Sequence, residues 1–144
     1  LPEADYIPRS EPDLYRIEED EAASNGLARR MPNVHRIWAC HSYPLGDYGV
    51  AEGSRWHVYL RVRCDAATDN GAAMTVGLYD DAIHRPLASR QIPVREIRGK
   101  QYRLIDLGVH RLGPLSYAWA APVVREQSEV EAVYVDRVFL VRCE

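Results

Sequence analysis

The stretch Trp56-His57-Val58-Tyr59-Leu60-Arg61-Val62-Arg63-Cys64 (WHVYLRVRC) alternates apolar and polar residues along its whole length. Val58, Leu60, Val62 and Cys64 fall on one phase, and His57, Tyr59, Arg61 and Arg63 on the other. That is the period-two signature of a strand with one face in a core. Asp69-Asn70-Gly71 follows as a turn, because Asn and Gly tolerate positive φ, and Met74 to Tyr79 (MTVGLY) reads as the return strand of a hairpin. Met74, Val76 and Leu78 supply its apolar face.

Outward from this pair, the same alternation predicts strands at 14–18, 35–41, 86–92, 102–107, 116–121 and 133–141. A turn or short helix is expected at 25–30 and another at 94–99. About eight strands with turn residues between them, and no sustained helical periodicity, predict an all-β chain. The expected architecture is a two-sheet antiparallel β-sandwich, a jelly roll. Residues 1–14, with Pro2, Pro8 and Pro12, read as a linker or extended arm, leaving 15–144 as the sandwich domain. The chain begins Leu-Pro-Glu rather than with Met, as expected of an excised module.

The 144 residues carry a net charge of −3, which argues against a general nucleic-acid binder, and no apolar run spans a membrane. Seventeen Arg stand against one Lys, and nine Tyr against one Phe. Tyrosine offers an apolar ring with a polar tip. Cys40 and Cys64 lie in apolar runs and read as buried thiols; a bridge involving Cys143 stays open. Nucleophile elbow, zinc-protease, phosphate-loop and dinucleotide motifs are all missing. Cys40 and His41 point to opposite strand faces, and Asp80, Asp81, Glu126, Glu129 and Glu131 read as solvated turn and loop charge. The chain is therefore expected to be non-catalytic.

The densest charge run is Glu18-Glu19-Asp20-Glu21. Alternation places Glu18 and Asp20 on one face. With Asp136, a single acid inside the apolar run AVYVDRVFLV, they form an oxygen set suited to Ca²⁺. The alternative is that the run is solvated and that Asp136 is paired with an arginine.

Three segments carry a family resemblance: IEEDEAASNG (17–26), WHVYLRVRC with MTVGLYDD (56–64, 74–81) and YVDRVFLV (134–141). Together they resemble the calcium-bearing β-sandwich carbohydrate-binding modules of families 6 and 35, accessory domains of bacterial glycoside hydrolases. The resemblance implies a structural Ca²⁺ held by Glu18, Asp20 and Asp136, with Glu19 and Glu21 as the other register. It also implies a monomeric, secreted, periplasmic or cell-surface module that binds an oligo- or polysaccharide and is joined in cis to a catalytic domain.

A sugar site needs aromatic faces beside planar polar groups. Two surfaces are expected to offer them. The first groups Tyr59, Arg61 and Arg63 with Tyr79 of the neighbouring strand and Trp119. The second is the loop HSYPLGDYG, with His41, Tyr43 and Tyr48. Trp38 and Trp56 are expected in the core. Two other functions are carried forward: a structural sandwich packing on its catalytic domain without sugar, and a small jelly-roll hydrolase or lyase.

Overall fold

The computed structural model describes residues 6–8, 16–32, 40–123 and 129–143. The predicted positions His35, Trp38 and Glu126 lie outside the described residues. Ten strands run in the order β1 (Tyr6–Pro8), β2 (Arg16–Glu19), β3 (Leu27–Pro32), β4 (Cys40–Ser42), β5 (Ser54–Ala66), β6 (Ala72–Asp80), β7 (Arg85–Pro93), β8 (Arg103–Leu112), β9 (Ser116–Pro122) and β10 (Val130–Arg142). They form two five-stranded antiparallel sheets. One, called here the front sheet, has the order β1-β4-β9-β6-β7; the other, the back sheet, has β2-β3-β10-β5-β8. The fold is an antiparallel β-sandwich of jelly-roll type.

The decisive alternation holds. Val58, Leu60, Val62 and Cys64 are fully buried, as are Met74, Val76 and Leu78. These two rows belong to one core, joined by Ile92, Ile105, Ala118, Ala120, Val133 and Val138. Each such aliphatic side chain contributes about 1.5–3 kcal/mol by leaving water.

The hairpin expected around Asn70-Gly71 is corrected. β5 pairs with β10 and β8, whereas β6 pairs with β7 and β9, so the two strands lie in opposite sheets. Gly71 does adopt positive φ, at 81°. However, five residues, 67–71, separate the strands, and stacked sheets are only about 10 Å apart. The chain crosses the core edge instead of returning alongside itself, which sets the apolar faces of β5 and β6 against each other. Arg98 holds this crossover through the carbonyls of Ala66 and Ala67 and the Asp69 carboxylate.

Two strands were not expected. Tyr6–Pro8, within the predicted arm, pairs with β4 as an edge strand. Leu27–Pro32, where a turn or short helix was predicted at 25–30, is β3, paired between β2 and β10. Asn25 and Gly26, the latter with φ of 80°, keep the turn. The turn or short helix predicted at 94–99 is the one-turn helix α1 (Val94–Ile97), which buries Val94 and Ile97.

The turn 20–26 folds over the outer side of the back sheet. There Ala23, Ala28, Tyr102, Ala132 and Tyr134 form a small second cluster. All three cysteines are free thiols, Cys40 and Cys64 in the core and Cys143 partly exposed.

Candidate functional site

The first expected surface does not exist as one surface. Tyr59 points outward from the back sheet, because its neighbours Val58 and Leu60 are buried, and Tyr79 points outward from the front sheet, because Leu78 is buried. The core separates them. The error follows directly from reading the 67–71 crossover as a hairpin.

The front sheet brings together Tyr79, Trp119 and His41. Trp119 stands opposite Gly77 of β6 on one side and His41 of β4 on the other. A Cβ on Gly77 would lie 2.7 Å from Cε2 and Cζ2 of the Trp119 indole, so the ring lies over the glycine backbone. One step along, Tyr117 is the partner of Tyr79. The rings form a row across three strands: His41 to Tyr117 at 5.1 Å between centroids and Tyr117 to Tyr79 at 5.5 Å, tilted by 47° and 42°. His41, Tyr79 and Tyr117 are half-buried, while Trp119 is only 8% exposed. Next to this row, Ser89 pairs with Gly77 and Gln91 with Thr75, and both Ser89 and Gln91 are exposed. The face thus combines ring surfaces with hydroxyl and amide groups. Tyr117 was missed in the sequence, although its alternation with the buried Ala118 in SYAWAAP places it beside Trp119 on the outward phase.

The loop surface is only partly available. Tyr43 is 43% exposed. Tyr48 closes the 3-10 turn Leu45–Tyr48 and packs against the core. His41 joins the front-sheet row instead.

On the back sheet the predicted arginines are engaged within the protein. Arg63 donates through Nε and Nη2 to Asp20 Oδ2 at 3.0 and 2.7 Å, and through Nη1 to Asp65 at 2.8 Å. Its guanidinium lies 3.7 Å over the Tyr134 ring. At 7% exposure it is a structural residue and not the ligand contact expected. Burial alone would raise the Asp20 carboxyl. The bonds from Arg63, the Tyr102 hydroxyl and the Ala22 N–H outweigh it and hold the group below its usual 3.8. Burial pushes the Tyr102 phenol upward, and its bond to Asp20 pushes it further.

Asp136 sits at a bulge in the β10–β5 pairing, between Val135 and Arg137, and is fully buried. The Ser24 N–H donates to its Oδ1 at 3.0 Å; the Ser24 hydroxyl and Arg61 Nη1 reach its Oδ2, the latter at 2.6 Å. Glu18 pairs with Arg16 at 3.0 Å and Arg30 at 3.4 Å.

The expected calcium set therefore does not fit. A guanidinium stands against each of the three carboxylates, Glu18, Asp20 and Asp136, and a second cation beside it would be repelled. Glu19 and Glu21 are both exposed. Among the described residues no group of three or more His, Cys, Asp or Glu side chains is placed to hold a metal.

Tyr59 takes part in a separate chain on the back sheet. Its hydroxyl is 3.1 Å from His57 Nδ1, and His57 Nε2 is 2.7 Å from Asp106. The Asp106 carboxyl is lowered by the Gly108 N–H first and by His57 second. The two rings stack at 4.3 Å, so Tyr59 is braced along its own strand.

Among protein-family models none matches the sequence, and no curated protein matches it either. Solved structures do resemble the fold. The CBM22-1 and GH10 modules of endo-1,4-β-D-xylanase 10B from Clostridium thermocellum, complexed with xylohexaose, align at a TM-score of 0.64 with 11% identity, covering 100% of this chain. The chain spans 27% of that longer polypeptide. TmCBM61 in complex with β-1,4-galactotriose aligns at 0.60 with 7% identity, over 99% of this chain and 91% of its own. CBM27-1 of Caldicellulosiruptor saccharolyticus, in complex with mannohexaose, aligns at 0.54 with 13% identity, over 93% and 88%. At these identities the likeness is one of fold: the chain has the β-sandwich architecture on which those carbohydrate-binding modules are built.

Proposed function

We propose that the chain is a non-catalytic carbohydrate-binding module whose ligand lies across the outer face of the front sheet. The row His41–Tyr117–Tyr79 beside Trp119 carries this reading. Sugar rings present C–H faces that pack on aromatic surfaces, while their hydroxyls need polar partners, which Ser89 and Gln91 offer nearby. The fold likeness to modules crystallised with xylohexaose, galactotriose and mannohexaose supports it. Joined to a glycan-active enzyme outside the cytoplasm, such a module would raise the enzyme's effective concentration at a polysaccharide.

Affinity electrophoresis against neutral polysaccharides tests the reading. Retardation that is lost in Tyr117→Ala supports it; no retardation by any of these overturns it.

One observation favours a second reading, a sandwich that docks on its neighbouring domain. Val109 and Val141 flank His57 across three strands of the back sheet, 43% and 55% exposed, and Leu104 is 56% exposed. Exposed apolar side chains on this face fit a contact surface.

A further inference from the structure

Three arginines lie at the end of the back sheet where β5 begins and β8 and β10 finish: Arg55 and Arg111 share its outer phase, and Arg142, the partner of Trp56, falls on the other. Arg55 and Arg111 are direct partners across β5 and β8. The Cys143 N–H bonds to the Arg55 carbonyl, which brings the end of β10 alongside. Arg55, Arg111 and Arg142, with Gly53, Ser54 and Cys143, line an open cleft of about 690 Å³.

Among the described residues no acidic side chain lines this cleft. Glu52, next to Gly53 in the chain, is turned against Gly113, its Oε2 only 2.7 Å from where a Cβ there would stand. Elsewhere Arg16, Arg30, Arg61, Arg63, Arg90 and Arg98 have carboxylate partners, while Arg85, Arg95, Arg103 and Arg137 have none among the described residues. The three in the cleft have none among the described residues.

Like charges in direct register across an antiparallel pair oppose folding. Two of the side chains are nevertheless held. Arg111 Nη1 donates to the Gly53 carbonyl at 3.0 Å, and the Arg142 guanidinium lies 6.0 Å over the Trp56 ring. Held guanidinium groups with spare N–H donors match the oxygens of a carboxylate or sulfate, and holding them beforehand lowers the ordering cost of binding. An oxyanion here would also relieve the Arg55–Arg111 repulsion.

We propose that this cleft binds an oxyanion, the carboxylate or sulfate group of an acidic saccharide. The oxyanion part stands on the cleft itself; the saccharide part rests on the carbohydrate-binding reading above. The site is separate from the front-sheet aromatic row and lies on the other sheet.

The test is calorimetric titration of the whole chain with trigalacturonate, inorganic sulfate and a neutral xylo-oligosaccharide, at low and high salt. The variants are Arg55→Gln/Arg111→Gln and Tyr117→Ala, each checked for wild-type unfolding behaviour. The charge-removed variant relieves repulsion, so it is expected to stay folded. Trigalacturonate should bind in a salt-sensitive way and weaken roughly tenfold to a hundredfold in the double-arginine variant. It should be unchanged in Tyr117→Ala. Binding that survives loss of both arginines, or that is lost only with Tyr117, overturns the cleft. If no anionic probe binds, the cleft is overturned as well. Sulfate binding as tightly as trigalacturonate overturns the saccharide part alone. Failure of the neutral sugar with trigalacturonate retained counts against the front-sheet reading and leaves the cleft standing.

Discussion

Arg61 Nη1 lies 2.6 Å from Oδ2 of Asp136, a carboxylate with no exposed surface, and Ser24 closes the same carboxylate from the turn after β2. A guanidinium stands where the family resemblance led us to expect a calcium ion. Breaking a buried pair by removing one partner strands the other, at a cost of about 3 kcal/mol. Arg61→Met should therefore lower the unfolding free energy by about that amount. Neither a chelator nor added Ca²⁺ should move the wild-type melting temperature, because an ion bound to the native state would shift it by mass action. A chelator-dependent fall in melting temperature would contradict this arrangement.

The Asp20–Arg63 pair predicts an acid-sensitive contribution. The Asp20 carboxyl titrates below its ordinary value in the folded chain. A group depressed by folding adds stability above its unfolded value of about 3.9, and that contribution fades as pH falls through the folded value. Urea midpoints of wild type and Asp20→Asn should differ clearly at neutral pH and converge as the pH drops below about 4. A difference that stays constant down to acid pH would remove Asp20 as its source.

Gly77 is a packing probe of the front sheet. An added methyl group would meet the Ala88 carbonyl at 2.4 Å and the Trp119 indole at 2.7 Å. Gly77→Ala should destabilise by about 1–3 kcal/mol and displace Trp119, visible as a change in tryptophan fluorescence. Carbohydrate affinity should fall with it. Tyr117→Ala should weaken binding by roughly tenfold while leaving that fluorescence nearly as it was.

Thiol reactivity separates the three cysteines. Burial pushes the Cys40 thiol up to about 12 and the Cys64 thiol up to about 11. Titration of the native chain with a chromogenic disulfide near pH 8 should modify Cys143 alone. Denaturant should expose Cys40 and Cys64 as well.

What alternation encodes was legible before any coordinates. The WHVYLRVRC phase, the buried cysteines and the two-sheet architecture all follow from which residues must leave water. What alternation does not encode was misread. Asn70-Gly71 specifies a local reversal, but whether the returning strand pairs edge to edge or crosses to the facing sheet depends on partners distant in sequence. That single ambiguity split Tyr59 from Tyr79 and dissolved the expected joint surface. β3 was hidden because Leu27–Pro32 carries two arginines in mid-strand; Arg29 is fully buried and Arg30 lies against Tyr134. The arginine surplus likewise reads differently by position. Arg61 and Arg63 brace the fold, whereas Arg55, Arg111 and Arg142 are left in the open.

The Ser24–Asp136 contact joins residues 112 positions apart. Contacts of such separation must wait for nearly the whole chain to be organised, since loop closure comes before its reward. The turn after β2 therefore docks only once β10 has added to the back sheet beside β5. Because the latch is a serine and an arginine of the chain itself, that final step is expected to need no ion at the latch. Its speed is expected to be the same in calcium-poor and calcium-rich media.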